Sequence, residues 1–165
     1  MLVKLKYDNI AFNNLFNESL NSNYIQSHIN HNGVNDYIND SNFLESHPFY
    51  KDALEYFNSK FTLLNFKLHF QSSNKDIDWH VDDNDTDKLR FIMPIITNEL
   101  VLSYVEEMSV VYEFVMFPGY IYHFSIQNKH KVNNLGTKNR IALIFDIENT
   151  MENKKIINSM FETVI

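Results

Sequence analysis

Cysteine is absent from this chain, and its absence removes disulfides, thiolate metal sites and a cysteine nucleophile together. A chain without cysteine suits a reducing cytoplasm, which is the expected localisation. Glycine and proline are scarce, with three of each among 165 residues, and no Pro/Gly/Ser linker or internal repeat divides the sequence. One domain spanning 1–165 is therefore expected. Long apolar runs are missing too: none approaches the roughly 18 residues of a membrane span. Met1 to Lys6 also lacks the apolar core of a signal peptide. Positive charge is in deficit, 14 Lys and Arg against 21 Asp and Glu, for a net charge of −7. That balance argues against general affinity for phosphate backbones, and hence against a nucleic-acid partner. A small molecule or a polypeptide is the expected partner, and no oligomeric state is implied.

What is present supports a packed core. Hydrophobic residues make up 44% of the chain and aromatic residues 15%, and a chain of this length buries roughly 70% of its unfolded surface. Residues 1–60 read as a mostly helical or irregular flank. Within it, Leu2 to Lys6 suits an edge strand, Phe12 to Leu20 a short helix, and Asn21 to Asp40 loops with a helical turn or two. Pro48 fits the first turn of a helix, where its missing N–H costs nothing; Phe49, Leu54 and Phe57 then form a stripe.

From residue 61 the period changes to two. Leu64, Phe66, Leu68 and Phe70 alternate with Asn65, Lys67 and His69. Ser72 to Asp78 and Asp82 to Lys88 read as polar loops, and Leu89 to Thr97 as a strand. Glu99 to Glu106 and Val110 to Met116 form two strands about a short turn. Pro118-Gly119 breaks the chain before a strand at Tyr120 to Ile126. Lys129 to Asn133 and Asn139 to Ile147 suggest a hairpin about Asn134-Leu135-Gly136, with Gly136 in the left-handed position. A helix begins near Met151 and fills 148–165. Many short strands at 61–147 with helices at the ends predict a mainly β fold with flanking helices. A double-stranded β-helix, a jelly-roll or cupin-like barrel, is the expected closed form.

Within that pattern one constellation carries chemistry. His80 and Asp82 stand at i and i+2, the spacing that puts two side chains on one side of an extended strand. His130 follows fifty residues later and Arg140 ten beyond that. Two histidines and one carboxylate on one side of a metal are the ligand set of non-haem Fe(II) oxygenases. A guanidinium such as that of Arg140 can grip the far carboxylate of a keto acid by two parallel hydrogen bonds. The proposed hairpin would pair His130 with Arg140 across the turn and set the two side by side.

The other polar residues have plainer readings. Asp83, Asp85 and Asp87 faintly mimic a calcium loop, but Lys88 stands where glycine is needed and Pro94 where the bidentate glutamate belongs. They read as a solvated loop. His123 reads as a packed or hydrogen-bonded residue. His69 reads equally as a pocket-lining residue or as one partly buried against its neighbours, and Trp79 as a core residue turned away from the metal. Lys67, Lys129 and Lys131 read as surface charges. His28 and His31 have a zinc-compatible spacing without an evident partner.

These residues resemble a known family. His80-Val81-Asp82, Arg90 to Ile95, Phe117 to Phe124, His130 to Asn134 and Arg140 to Asp146 are similar to the Fe(II)/2-oxoglutarate-dependent dioxygenases. Within them the match is to the aspartyl/asparaginyl β-hydroxylase-like branch that includes some proline hydroxylases. The resemblance covers about Leu64 to Asp146. It implies a double-stranded β-helix binding Fe(II) through His80, Asp82 and His130, with 2-oxoglutarate and O2 as cosubstrates and Arg140 on the distal carboxylate. It implies that Arg90 helps hold the cosubstrate; Ile92 stands where that branch often has a histidine. The expected reaction is hydroxylation of an amino acid or a peptidyl side chain, of proline, aspartate or asparagine type. It is coupled to conversion of 2-oxoglutarate to succinate and CO2. The HxD carboxylate favours hydroxylation over halogenation. Two other readings compete: an inactive jelly-roll binding module, and a cupin-like metalloenzyme that needs no keto acid. The intact ligand set argues against the first and Arg140 against the second.

Overall fold

A computed structural model describes residues 3–6, 35–38, 48–82, 87–160 and 162–163. They form β1 (Val3–Lys6), β2 (Asn35–Ile38), helix α1 (Pro48–Asn58), β3 (Leu63–Gln71), β4 (Lys75–His80), β5 (Lys88–Ile96) and β6 (Val101–Glu107). β7 (Val110–Val115), β8 (Tyr120–His123), β9 (His130–Asn134), β10 (Arg140–Glu148), helix α2 (Met151–Met160) and β11 (Glu162–Thr163) follow. The helix expected at 12–20, the acidic pair Asp83 and Asp85, and His28 and His31 lie outside the described residues. Among the described residues no helix is long and apolar enough to cross a membrane.

The strands form two antiparallel sheets, ordered β11-β1-β8-β5-β10-β3-β2 and β4-β9-β6-β7. From β3 to β10 the chain alternates between them, apart from the β6–β7 hairpin. Four strands of each sheet thus form a double-stranded β-helix, as expected. Ile92, Tyr122, Ala142 and Ile144 of the larger sheet pack with Val105, Met116 and Phe124 from the other side. That contact closes the space between the sheets.

The outer face of the larger sheet carries the main core. Leu68, Phe70, Phe91, Met93, Ile121, Ile141, Leu143, Phe145 and Ile147 meet Tyr50, Ala53 and Phe57 of α1 and Ile157 of α2. Phe145 is fully buried, its ring 3.9 Å from that of Phe57 and 5.0 Å from that of Phe91. Each such side chain contributes roughly 1.5–3 kcal/mol through burial. The α1 stripe is rotated from expectation: Tyr50, Ala53 and Phe57 are buried, whereas Leu54 is only half-buried. Positions i, i+3 and i+7 share a face, and the small Ala53 is the point where that face meets the sheet.

Several expectations are corrected. β9 and β10 do not form a hairpin: β9 lies between β4 and β6, and β10 between β5 and β3. The reason is visible in burial. All residues of β10 from Arg140 to Ile147 are buried, which only a central strand covered on both faces permits. β9 instead alternates and suits the smaller sheet. Gly136 has no left-handed backbone; a Cβ there would come within 2.7 Å of the Asn98 side-chain amide. Positive φ angles fall at Asn74, Met108, Ser109 and Gly119, the second and third making the tight β6–β7 turn.

The flank at 1–60 contributes two strands to the larger sheet. β1 is flanked by β8 and β11 rather than standing at the edge, and β2 pairs with β3. Four-residue strands are too short to reveal a period; their pairing partners define them. The loop expected at Ser72 to Asp78 is largely β4, whose polar Lys75, Asp76 and Asp78 hid the strand. Leu64 is exposed at a bulge where Asp146 pairs with Asn65 but Ile147 with Leu63.

Candidate metal centre

His80 ends β4 and His130 begins β9, and the two are cross-strand partners. β4 carries an irregularity between Ile77 and His80. It places both Ile77 and His80 on the inner face, although they are three residues apart. Asp82 follows in irregular chain, its backbone N–H donating to the Ile126 carbonyl at 3.4 Å. The result is a tight group. His80 Nε2 lies 3.2 Å from Asp82 Oδ1, and His130 Nε2 lies 3.5 Å from Asp82 Oδ2. The imidazole centroids are 4.3 Å apart, and one ligand atom from each residue lies within 4.8 Å of the others.

The far side of each ring decides what this group can bind. His80 Nδ1 is 2.6 Å from the Asp78 carbonyl, and His130 Nδ1 is 2.9 Å from the Asn128 carbonyl. A carbonyl only accepts, so each Nδ1 carries the proton, and in the neutral ring the Nε2 lone pair remains for a metal. Two imidazole nitrogens and one carboxylate, all offered from one side, fit Fe(II) in the arrangement that leaves positions open. Burial acts to raise the Asp82 pKa, but the contact with His130 and the charge of Arg90 outweigh it. The carboxyl is held well below its ordinary value.

The larger sheet supplies the cations. Arg140 is buried and lines the same cavity as the three ligands. Its Nη1 donates to His69 Nδ1 at 3.1 Å. Guanidinium has no acceptor, so His69 must accept at Nδ1. Burial first, and then the charges of Arg140 and Lys67, hold His69 well below the ordinary histidine pKa, so it is neutral. His69 lines the cavity, and it is buried. Arg140 reaches the cavity from the opposite sheet, its strand neighbour being Gln71 rather than His130.

Arg90 of β5 lines the same cavity, and its guanidinium is engaged by two carboxylates. Its Nε and Nη2 donate to the two Asp146 carboxylate oxygens at 2.8 and 2.9 Å, and its Nη1 donates to Asp82 Oδ2. Lys67 is half-buried rather than a surface charge, and burial lowers its pKa. Trp79 is not in the core: it is 38% exposed, on the outer face of the smaller sheet beside Tyr104. There the Lys131 ammonium lies 4.5 Å from the Tyr104 ring centroid and 5.4 Å from that of Trp79. His123 is packed as expected, with Nδ1 2.7 Å from the Arg90 carbonyl and its ring 5.0 Å from that of Phe91. Asp146 and Asn65 escaped the sequence reading. The available signal was an acidic residue inside the otherwise apolar run from Ile141 to Ile147.

No protein-family model matches the chain, and no curated protein sequence does. Solved structures do share its fold. A prolyl hydroxylase from Trichoplax adhaerens, in complex with a hypoxia inducible factor oxygen degradation domain peptide fragment, has a TM-score of 0.66. Its identity is 10%, over 93% of this chain and 86% of that one. A Pseudomonas putida prolyl-4-hydroxylase gives 0.56 at 12% identity, covering 90% and 92%. A 2OG-Fe(II) oxygenase family oxidoreductase from Burkholderia pseudomallei gives 0.51 at 12% identity; the match spans 62% of this chain and 59% of that protein. At these identities the likeness is one of fold.

Proposed function

We propose that this protein is a non-haem Fe(II)- and 2-oxoglutarate-dependent oxygenase. Its proposed substrate is an amino acid or a peptidyl side chain of proline, aspartate or asparagine type, which it hydroxylates. One observation carries the reading. His80, Asp82 and His130 converge with their metal-binding atoms inward, and a buried arginine from the opposite sheet enters the same cavity. Bound there with 2-oxoglutarate and O2, Fe(II) supplies the oxidising chemistry that yields succinate, CO2 and a hydroxylated C–H position.

The protein's own contribution is placement. His80, Asp82 and His130 hold the metal from one side. Arg140 provides the anchor for the distal carboxylate of the keto acid, and neutral His69 orients its guanidinium. Ile92, Met116, Phe124, Val132 and Ile144 give the cavity apolar walls, which exclude water and strengthen the charge contacts inside. The peptide held by the Trichoplax prolyl hydroxylase belongs to that protein; it supports including peptides among the substrates to be tried here.

The test is succinate formation from 2-oxoglutarate in the presence of Fe(II), with panels of free amino acids and of peptides containing Pro, Asp or Asn. Turnover stimulated well above the substrate-free level by one member, with a matching mass gain of one oxygen, is the expected result. Absence of succinate under every condition, in folded and iron-loaded protein, contradicts the proposal.

A further inference from the structure

Beside the metal ligands lies a second charged group to which the proposed cosubstrate site gives no role; Arg90 lines the cavity and Asp146 stands behind it. Asp146 stands two residues before the end of β10 and is 2% exposed. A buried carboxylate is tolerated only when paired and hydrogen-bonded, and three strands converge to do this. Asn65 of β3 and Arg90 of β5 are its neighbours on either side in the sheet. Asn65 Nδ2 donates to Oδ2 at 3.3 Å, and Arg90 grips both oxygens in a fork. The remaining arm of the guanidinium, Nη1, reaches Asp82 Oδ2, a residue carried by the smaller sheet's connection. Asp82 lies in irregular chain, with 23% of its side-chain surface exposed; its carboxylate otherwise faces the two imidazoles, at 3.2 and 3.5 Å.

From this row we infer that Asp146 and Arg90 form a positioning clamp for the metal-binding carboxylate, and that Arg90 is not a cosubstrate anchor. The inference rests on the metal-centre reading above. Its logic is geometric. With both arms committed to carboxylates, the guanidinium fixes the rotation of the Asp82 side chain. Asp82 Oδ1 is left as the oxygen without a guanidinium partner, on the His80 side. Asp146 balances the Arg90 charge, so the pair acts on a cation by orienting its ligand and not by its net field. Outer partners of this kind typically change metal affinity by about 10- to 100-fold.

The test separates orientation from field. Mn(II) binding is measured without 2-oxoglutarate, from the electron paramagnetic resonance signal of the free ion. The proteins compared are the wild type, Arg90→Gln and the double variant Arg90→Met with Asp146→Leu. Arg90→Gln removes a positive charge, so a field effect alone would strengthen Mn(II) binding; the clamp predicts weakening by about 10- to 100-fold. The double variant exchanges a neutral pair for a neutral pair, which a buried site can accept without loss of fold. It keeps the test usable should Arg90→Gln fold poorly. The clamp predicts the same weakening in the double variant, with 2-oxoglutarate affinity at saturating Mn(II) unchanged within about twofold. Unaltered Mn(II) affinity in the folded double variant overturns the inference, as does a selective loss of 2-oxoglutarate affinity. Failure of the wild type to bind Mn(II) instead overturns the metal centre itself.

Discussion

The two sheets that enclose the candidate site differ in what covers them. The larger is packed on its outer face by α1 and α2, and its central strand β10 is buried on both faces. Among the described residues the smaller is covered only on the inside: β9 alternates buried and half-buried residues, and Trp79 and Val111 stand exposed among its strands. The charges divide accordingly. The two histidine ligands come from the smaller sheet and the cations Arg90 and Arg140 from the larger. A guanidinium taken out of water needs a fixed partner, and the doubly covered sheet supplies Asp146 and His69 for that purpose. The metal face needs access to solvent, and His80 keeps 35% of its side-chain surface exposed.

If that division holds, breaking the smaller sheet's share should abolish function and spare the fold. Replacement of Asp82 by Ala is expected to eliminate metal-dependent turnover while leaving the thermal midpoint within a few degrees. Loss of folding would show that the ligand group also holds the barrel together. Phe145→Ala is the reverse experiment. It empties a site between Phe57 and Phe91 and should cost about 3–5 kcal/mol, read from the urea midpoint. Smaller again, Arg140→Ala should remove a charge-assisted anchor of about 2–3 kcal/mol. The KM for 2-oxoglutarate should then rise roughly 30- to 150-fold at unchanged Mn(II) affinity. Unaltered KM would move the anchor elsewhere.

The finest distinction is in pH. His69 and His123 both have pKa values lowered by burial. The unfolded chain therefore takes up protons near the ordinary histidine value of about 6.5 while the folded chain does not. Their stabilisation is complete above that value and is lost as pH falls below it, by at most about 1.4 kcal/mol per pH unit for each residue. Urea midpoints at pH 7, 6 and 5 should decline, and His69→Gln, which can still accept from Arg140, should flatten the decline. A variant that tracks the wild type through this range would argue that His69 is protonated in the folded protein.

The same difference between the sheets explains what the sequence disclosed. The smaller sheet is wet on one side, so its strands β6 and β9 alternate and were legible, and the His80, Asp82 and His130 spacing could be read as a ligand set. β10 reads as one apolar run with charges at Arg140 and Asp146, because neither of its faces meets water. Periodicity therefore could not say which strand it paired with, and a local hairpin was the natural but mistaken inference. β4 was hidden for the opposite reason: Lys75, Asp76 and Asp78 face solvent and look like loop. The Asp146, Arg90 and Asn65 row joins residues far apart in sequence. Only the register of three strands brings it together, and no short motif encodes that register.

The central claim is that His80, Asp82 and His130 hold one Fe(II) with 2-oxoglutarate beside it. Anaerobic titration of the metal-free protein with Fe(II) and then 2-oxoglutarate tests it most directly. A visible charge-transfer band should saturate at one iron per chain, and the folded Asp82→Ala protein should lack it. Folded wild-type protein that takes up no Fe(II), or that binds iron and keto acid without developing the band, contradicts the account.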